Sequence, residues 1–279
     1  MASGTLYVVA TPIGNLEDMT PRAVRILREV DWIAAEDTRH SRALLTRHDI
    51  RTPLTSYHEH NEQEESVRLV ASLETGKNGA LISDAGTPCI SDPGYRLVRA
   101  AREADVPVVA VPGACAPIAA LSVSGLPTDR FTFHGFFPRK RSAAVQLLES
   151  LHALGGTHIF LEAPGRVEAS LTAVADVMPD AETVIAREIT KRFEEVLRGS
   201  PQALLEQIRG KGLRGECVLL LYAPTGAAPG EEMDDEALQG LVAEAMASGE
   251  LSYRDAVRRV AEETGVPRNR VYAAAKQDA

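Results

Sequence analysis

Cysteine is scarce in this chain, and long apolar runs are missing from it. Among 279 residues there are three cysteines, Cys89, Cys115 and Cys217, which stand far apart without a CxxC pair. That number and spacing argue against a disulfide framework or a zinc site. No stretch approaches the roughly 20 apolar residues of a membrane-spanning helix, and the N-terminal MASGTLYVVATP lacks the regions of a signal peptide. We therefore expect a cytoplasmic protein without a membrane segment or a metal.

Phosphate-binding motifs and an excess of positive charge are also missing. Neither GxGxxG nor GxxxxGK[ST] occurs, which disfavours NAD and ATP because these ligands are held largely by their phosphates. The formal net charge of -9 argues against a strongly basic nucleic-acid binder, although a net value hides local patches. With 44% hydrophobic and 25% charged residues, the chain is typical of a globular protein with one large or two modest domains.

The first 120 residues or so alternate between strand-like and helix-like segments. Thr20 and Pro21 are typical of a helix start, and Asn61 is expected to cap a second helix. Strand, helix and strand with short connections predict a parallel sheet, whose strands are continuous apolar runs because both faces are buried. The predicted strands are 5–11, 31–36, 79–83 and 106–112, and the predicted helices are 21–30, 62–73 and 97–104.

A second α/β unit is predicted after a break near residues 122–130. The segments 182–188 and 193–199 are close enough to form a hairpin, which predicts a mixed sheet. The other predicted elements are strands 131–136, 156–162 and 216–222 and helices at 142–154 and from about 166 and 201. The sequence therefore predicts an N-terminal α/β domain (1–121), a second α/β domain with a mixed sheet (122–224), and a linker with a small helical domain (225–279).

The C-terminal segment has a divided charge. Residues 231–250 carry seven acids and no Lys or Arg, whereas residues 251–277 carry six bases against three acids. Residues 223–236 have a linker's composition, and Ser252 with Asp255 fits a capping box. Gly265 would end that helix and Pro267 would begin another. The pair resembles a helix-turn-helix, and a plain helical appendage with a solvated basic face fits the same pattern.

Three loops rich in small residues each follow a predicted strand. They are TPIGN (11–15), ISDAGTPCISDPG (82–94) and PGACA (112–116). In an open parallel sheet, ligands bind beyond the carboxyl ends of the strands. A single loop of this kind would be an ordinary βα turn, but three together predict one ligand crevice. In it, Asp84 could accept a hydrogen bond from a ribose hydroxyl or an amine.

Two polar pairs are candidates for acid-base chemistry. Asp37 could take or orient a proton while Arg39 binds a phosphate, or the two could pair with each other and fix the loop. Lys191, if its pKa is lowered, could act as a base beside Glu188, or these two could form an ion pair at the end of a hairpin.

Histidines and a short basic run complete the polar candidates. Histidine is a residue type that suits acid-base work, which makes His58 and His60 candidates, although a single histidine is more often structural. No third metal ligand lies nearby in the sequence. The run 139–141, Arg-Lys-Arg, precedes a helix and suits RNA phosphates, although such a run is more often simply solvated.

The motifs together resemble the tetrapyrrole methylase superfamily, the class III S-adenosylmethionine methyltransferases. Within it, the chain is similar to the family of 16S ribosomal RNA cytidine 2′-O-methyltransferases. The resemblance runs from about Leu6 to Lys276, and each piece alone would be weak. Its motifs are VATPIGNLEDMTPRA (9–23), AAEDTRHSRALL (34–45), YHEHNE (57–62), ISDAGTPCISDPG, VPGACA (111–116), HGFFPRK (134–140), REITKRFEE (187–195) and GECVLLL (215–221).

The resemblance implies a fold of two α/β domains of the tetrapyrrole methylase type, and S-adenosylmethionine as cofactor. The residues expected to hold the cofactor are Pro12, Gly14, Asn15, Asp84, Gly86, Thr87, Cys115, Ala116, Leu161 and Glu162. The catalytic candidates are Asp37, Arg39, Glu188 and Lys191. The residues expected to contact RNA are His58, Asn61, Arg139, Lys140, Arg141, Arg268 and Arg270. Two positions depart from the family pattern, which has Ser in place of Cys115 and His in place of Gly165.

The activity implied is methylation of a cytidine ribose in the decoding centre of the small ribosomal subunit, by a homodimer. One alternative is C-methylation of a tetrapyrrole such as a corrin precursor, against which the basic tail and HGFFPRK argue. Another is an RNA-binding factor without enzymatic activity, against which the three-loop crevice argues.

Overall fold

The computed structural model describes residues 3–210, 212–223, 234–247, 251–264, 266 and 268–276. In the first part of the chain, five parallel strands form a sheet in the order β3-β2-β4-β1-β5. Every residue of β2 and β4 is buried, as expected for a sheet with both faces covered. The strands are β1 (Leu6–Val9), β2 (Trp32–Ala35), β3 (Leu54–Ser56), β4 (Gly79–Ile82) and β5 (Val108–Val111).

Two of the five helices of this part begin at a residue whose side chain caps them. The hydroxyl of Thr20 accepts from the backbone N–H of Ala23 at 3.1 Å, which confirms the predicted helix start. Asn61 precedes its helix, but its side chain does not cap it; it bonds the preceding loop instead. Strand β3 and helix α2 were not predicted. The helices are α1 (Pro21–Glu29), α2 (Thr38–Arg47), α3 (Glu62–Glu74), α4 (Tyr95–Glu103) and α5 (Ala116–Ser124).

The second sheet is mixed, as predicted, with the strand order β6-β7-β10-β8-β9. Its pairs are antiparallel except for β6 with β7, and β8 and β9 form the predicted hairpin. The strands are β6 (Phe131–Phe136), β7 (Gly156–Glu162), β8 (Glu182–Arg187), β9 (Glu195–Gly199) and β10 (Cys217–Ala223). The helices are α6 (Arg141–Leu154), α7 (Val167–Val177) and α8 (Pro201–Ile208).

Helix α5 joins the two sheets. It follows the last strand of the first sheet, yet its residues Ala120 and Leu121 are buried with Val184 and Leu220 of the second sheet. The helix therefore crosses the boundary predicted at residue 121. Because α5 begins at the carboxyl end of β5, it brings that edge of the first sheet against the second.

The C-terminal helices have a core of their own. Helices α9 (Asp235–Ala247), α10 (Tyr253–Thr264) and α11 (Arg268–Ala275) pack through apolar residues that include Leu238, Val257 and Val271. Ser252 begins α10 as predicted, since its hydroxyl accepts from the N–H of Asp255. Gly265, Pro267 and most of the predicted linker lie outside the described residues. Among those described, no helix combines the length and apolarity needed to cross a membrane.

Candidate active site

The three predicted loops meet at one edge of the first sheet. Thr11 and Gly86 exchange two backbone hydrogen bonds, at 2.8 and 3.1 Å. The hydroxyl of Thr11 also donates to the carbonyl of Ser83 at 3.1 Å, and that of Thr87 donates to the carbonyl of Ala114 at 3.0 Å. These bonds join residues that are up to 75 positions apart in sequence. The three loops therefore lie together, as predicted, and their binding of a ligand stays a prediction.

The loop after β4 has an unusual backbone. Gly86, Cys89, Ser91 and Gly94 all have positive φ, at 79°, 71°, 70° and 140°. A Cβ on Gly86 would lie 3.2 Å from Cγ2 of Ile13, so this position combines a left-handed backbone with a close neighbour. Left-handed non-glycine residues cost of order 1 kcal/mol each. Their presence here indicates that the neighbouring elements hold the loop in a fixed shape.

A cavity of about 410 Å³ lies between these loops and the second sheet. That volume is within the usual range for small-molecule sites. Several residues predicted to hold the cofactor line it, namely Gly86, Thr87, Cys115, Ala116, Leu161 and Glu162. The sequence did not single out the rest of the lining, which includes Ile13, Ala85, Ile90, Ser91, Asp92, Phe136, Pro164, Ile189, Glu216 and Val218.

The other predicted cofactor residues support the loops from outside the cavity lining. Asp84 accepts from the backbone N–H of Asp37 at 3.0 Å. Asn15 accepts from the N–H of Glu17 and caps the short helical turn 16–18. Gly14 lies beneath Lys191, whose Cγ would be 2.4 Å from an added Cβ. Pro12 adjoins these supporting residues. Direct contact of these four residues with a cofactor stays a prediction.

Asp92 is a cavity carboxylate that the sequence reasoning missed. Burial raises its pKa above the ordinary value, the nearby Asp84 adds to that rise, and a hydrogen bond from Ser83 opposes it. The pKa of Glu36 is raised in the same way, by burial and then by Asp92 and Asp84. Asp92 thus combines a place in the cavity wall with an increased affinity for a proton, which are two properties expected of a general base.

Glu162 faces the cavity from the second sheet but is already occupied by protein partners. One carboxylate oxygen accepts from the N–H of Ala163 at 2.8 Å. The other accepts from the hydroxyl of Ser170 and lies 3.3 Å from Arg166. A buried carboxylate with this many partners is held in a fixed position in the cavity wall, and its contact with a cofactor stays a prediction.

Asp37 and Arg39 form the ion pair that was the alternative to a catalytic role. Their closest contact is 3.0 Å, and Asp37 also caps α2 through the backbone N–H of Arg39 at 2.8 Å. The hydrogen bonds from the side chain and backbone of Arg39 lower the pKa of Asp37 to about 2. A carboxylate with so low a pKa is a weak proton acceptor, so Asp37 suits the base role less well than Asp92.

Lys191 is held between two carboxylates. Its Nζ lies 3.1 Å from Glu188 and 3.2 Å from Glu216. Burial lowers the pKa of Lys191, but the bonds to Glu188 and Glu216 outweigh it, so that the net pKa lies above the ordinary value. A lysine that acts as a base needs a lowered pKa, so the prediction of that role for Lys191 is wrong. The alternative, an ion pair with Glu188, is what the structure shows. The pKa of Glu188 is lowered, mainly by the bond from Lys191.

The loop between β8 and β9 connects the two α/β parts. The hydroxyl of Thr190 donates to Asp18 at 2.5 Å, and the stem of Lys191 covers Gly14. Ile189, which precedes these two residues, lines the cavity. Glu188 and Thr190 have positive φ, at 51° and 65°. This loop therefore closes the cavity from the side of the second sheet.

The predicted RNA contacts fall into different groups. Arg139, Lys140 and Arg141 are exposed at the start of α6, and Arg141 pairs with Asp176 at 2.6 Å. Arg268 is exposed on α11, whereas Arg270 is half-buried. A role of these arginines and the lysine in RNA binding stays a prediction.

His58 and Asn61 organise a loop among themselves. Asn61 accepts from the N–H of His58 at 2.8 Å and donates to the carbonyl of Ser56 at 3.0 Å. His58 lies beside His60, with ring centroids 5.9 Å apart. Among the described residues, no cluster of three or more His, Cys, Asp or Glu could hold a metal ion.

Two family profiles match the chain. That of the tetrapyrrole (corrin/porphyrin) methylases covers residues 5–205, and that of the RsmI C-terminal HTH domain covers residues 232–278. The second match favours the helix-turn-helix interpretation of the tail over a plain appendage. Residues 122–130, where the sequence suggested a break, lie inside the first match.

Curated relatives are similar over nearly the whole length. The ribosomal RNA small subunit methyltransferase I of Pseudomonas aeruginosa is 48% identical over 99% of this chain and 98% of its own. Proteins with that name from Synechocystis sp. and Halalkalibacterium halodurans are 46% and 43% identical. They cover 96% of this chain, and the alignments span 96% and 93% of the relatives.

Solved structures share the fold at low identity. Diphthine synthase has a TM-score of 0.61 at 14% identity, covering 79% of this chain and 90% of its own. Uroporphyrin-III C-methyltransferase from Thermus thermophilus, complexed with S-adenosylhomocysteine, has a TM-score of 0.53 at 20% identity, covering 78% and 97%. With the profile match over most of the chain, these results show that the protein belongs to the tetrapyrrole methylase family, among the members named ribosomal RNA small subunit methyltransferase I.

Proposed function

We propose that this protein transfers a methyl group from S-adenosylmethionine to the ribose 2′-oxygen of a cytidine in 16S ribosomal RNA. The observation that carries the proposal is the cavity that the three loops form against the second sheet. The full-length similarity to relatives named for methylation of small-subunit rRNA supports the choice of substrate. Work on the small ribosomal subunit would place the protein in the cytoplasm.

The cavity fits S-adenosylmethionine. Gly86 keeps a side chain out of the narrowest approach to Ile13, which leaves backbone and small residues against the ligand. Ile13, Leu161 and Ile189 give the wall apolar surface, as is common in cofactor sites. When bound, the cofactor would supply an electrophilic methyl group. The protein's part would then be to exclude water and to hold the acceptor hydroxyl in line with that methyl group.

Asp92 is our candidate for the proton acceptor. The 2′-hydroxyl loses its proton as its oxygen gains the methyl group, and a nearby carboxylate can receive that proton. Asp92 lines the cavity, and its pKa is raised. Lys191, which stays charged, would instead attract the phosphates next to the target nucleotide. Arg39 would have to leave Asp37 to do the same.

The exposed cations would bind the rest of the RNA. Arg139, Lys140 and Arg141 lie at one surface of the second α/β part. Helix α11 carries Arg268 on a domain matched by a helix-turn-helix profile. Since counterion release makes such contacts strong but independent of sequence, we propose that the tail raises RNA affinity without setting the geometry of the reaction. A tetrapyrrole substrate would need no such surface.

We expect mass mapping of 16S rRNA to detect one ribose methyl group that depends on this protein. A strain without the protein should lack that mark, and small subunits from it should gain the mark on incubation with the protein and S-adenosylmethionine. Naked 16S rRNA and a uroporphyrinogen serve as alternative acceptors. Methyl transfer to the uroporphyrinogen but not to either RNA substrate would overturn the proposal.

We also propose that the working state is a homodimer formed through the outer face of α5. This helix, APIAALSVS, has no charged residue, and a helix that is apolar all round is normally buried. Its inner face packs on the second sheet, but Ile118 and Val123 are 48% and 53% exposed. A second copy of the chain would cover them. The N-terminus of α5 belongs to the cavity wall, so the dimer would also stabilise the site.

Replacing Ile118 by glutamate is expected to convert the dimer to monomer, because the interface would have to bury a charge. Sedimentation velocity over a range of concentrations measures the change. Val67→Glu is the matched control, since Val67 is also exposed but lies on α3. An unchanged association state in Ile118→Glu would show that α5 is not the interface.

A further inference from the structure

Phe193 is a large aromatic side chain that the fold leaves in solvent. It stands in the β8–β9 loop and is 65% exposed. It also borders a second cavity of about 460 Å³, which Arg187, Leu213 and Arg214 help to line. An exposed ring beside a cleft can offer its face to a planar ligand.

The loop that carries Phe193 is fixed by its own hydrogen bonds. The N–H of Thr190 donates to the carboxylate of Glu194 at 2.6 Å. The N–H groups of Lys191 and Glu194 donate to the carbonyls of Glu188 and Lys191, at 2.9 and 3.1 Å. The bond from Thr190 to Asp18 anchors the loop to the first α/β part. A ring on a rigid support loses little entropy when a ligand stacks on it.

A cationic side chain adjoins this ring. The guanidinium carbon of Arg192 lies 5.5 Å from the ring centroid of Phe193, within the range of a cation–π contact. Carboxylates are also nearby. Glu195 pairs with Arg187, and Glu188 and Glu216 share Lys191. Glu194 accepts from the backbone N–H of Thr190. In the part of the chain that the structure describes, no salt bridge engages Arg192 or Arg214, the second cation at the cleft.

The ring is also close to the proposed site of methylation. Ile189 lines the cofactor cavity, and Phe193 is four positions further along the same loop. Four residues span at most about 14 Å, so the ring is within reach of a polynucleotide whose target nucleotide enters the cavity. The cationic neighbours suit its phosphates, and the ring suits a base.

We propose that Phe193, flanked by Arg192, is a stacking platform for a nucleobase adjacent to the methylated nucleotide. This inference rests on the proposed function and specifies how its RNA substrate is held. Such a platform tolerates any base, because every base has a π-face. It would therefore position the RNA strand without reading its sequence.

The test compares Phe193→Ala, Phe193→Leu and Phe193→Trp in methyl transfer to small subunits that lack the mark. We expect the alanine and leucine variants to raise KM for subunits about tenfold, the typical loss for one stacked base. Tryptophan should restore the wild-type value. Phe131→Ala is the matched control, because Phe131 is also an exposed phenylalanine but stands on β6. Affinity for S-adenosylhomocysteine should not change in any variant.

Three outcomes would overturn the platform. If the leucine variant has the KM of the wild-type protein, the ring does not stack on a base. The proposed function would still stand in that case, because the wild-type protein methylates the subunits. A change in sedimentation with an unchanged KM would make Phe193 a contact between protein chains. Failure of the wild-type protein to methylate any rRNA substrate would instead remove the proposed function on which the platform rests.

Discussion

Valine in place of Gly86 is expected to weaken the binding of S-adenosylhomocysteine by about 100-fold, or roughly 2.7 kcal/mol. The backbone at this position has a φ of 79°, which is poorly accessible to a β-branched residue. Its Cβ would approach Cγ2 of Ile13 to 3.2 Å, and the two methyl groups would extend the clash. Because Gly86 lines the cavity and bridges Thr11, both the pocket and the joint between two loops would be distorted.

Gly165→Val is the matched control for this experiment. A Cβ on Gly165 would meet nothing within 4 Å, and its φ is not in the left-handed region. Titration calorimetry gives the affinity, and thermal unfolding shows whether each variant is folded. If Gly86→Val stays folded and binds S-adenosylhomocysteine as tightly as the wild type does, the cavity described above is not the cofactor site.

The second large effect is expected from Asp92→Asn. The amide keeps the size of the side chain but cannot accept the hydroxyl proton, so the methylation rate at saturating substrate should fall by about 10²- to 10⁴-fold. In the wild-type enzyme, the rate should decline as the pH falls through the raised pKa of Asp92, because only the carboxylate form accepts a proton. The residual rate of the variant should not show that decline.

Cofactor affinity separates this role from a structural one. Asp92→Asn should bind S-adenosylhomocysteine nearly as well as the wild-type protein, and Asp176→Asn, a change at the surface, should leave the rate unaltered. Single-turnover rates across a pH series provide the measurement. If the variant keeps both its rate and the decline at low pH, another group must be the base, and Glu36, whose pKa is also raised, would be the next candidate.

The two sheets were predictable because their strands are apolar runs, and the cavity was predictable because small residues follow three of them. Helix α2 was not predicted, because its first residues suggested chemistry instead of a helix start. The motif around Asp37 was interpreted as reactive groups, although an aspartate before Thr38 is also a common N-cap. The structure shows that Asp37 does cap α2.

Asp84 and Asp92 illustrate why the site was only partly predictable. Asp84 directly follows a strand, and this position predicts contact with a ligand. In the structure its carboxylate instead accepts from the backbone N–H of Asp37 and supports that loop. Asp92 lines the cavity from a loop in which Cys89 and Ser91 take left-handed conformations. Non-glycine residues with positive φ leave almost no trace in sequence. Of the second sheet, Leu161 and Glu162 were expected from the family resemblance alone, whereas Glu216 was missed because long-range packing brings it to the cavity.

The strand order of the second sheet also determines when the cavity can exist during synthesis. Strand β10 is the last strand of that sheet in sequence but lies at its centre, between β7 and β8. A nascent chain that ends before β10 has no partner for the inner edges of those two strands. The cavity wall formed by residues 215–218 is also missing from such a chain. Cofactor binding can therefore stabilise the protein only after nearly the whole of both α/β parts has been translated.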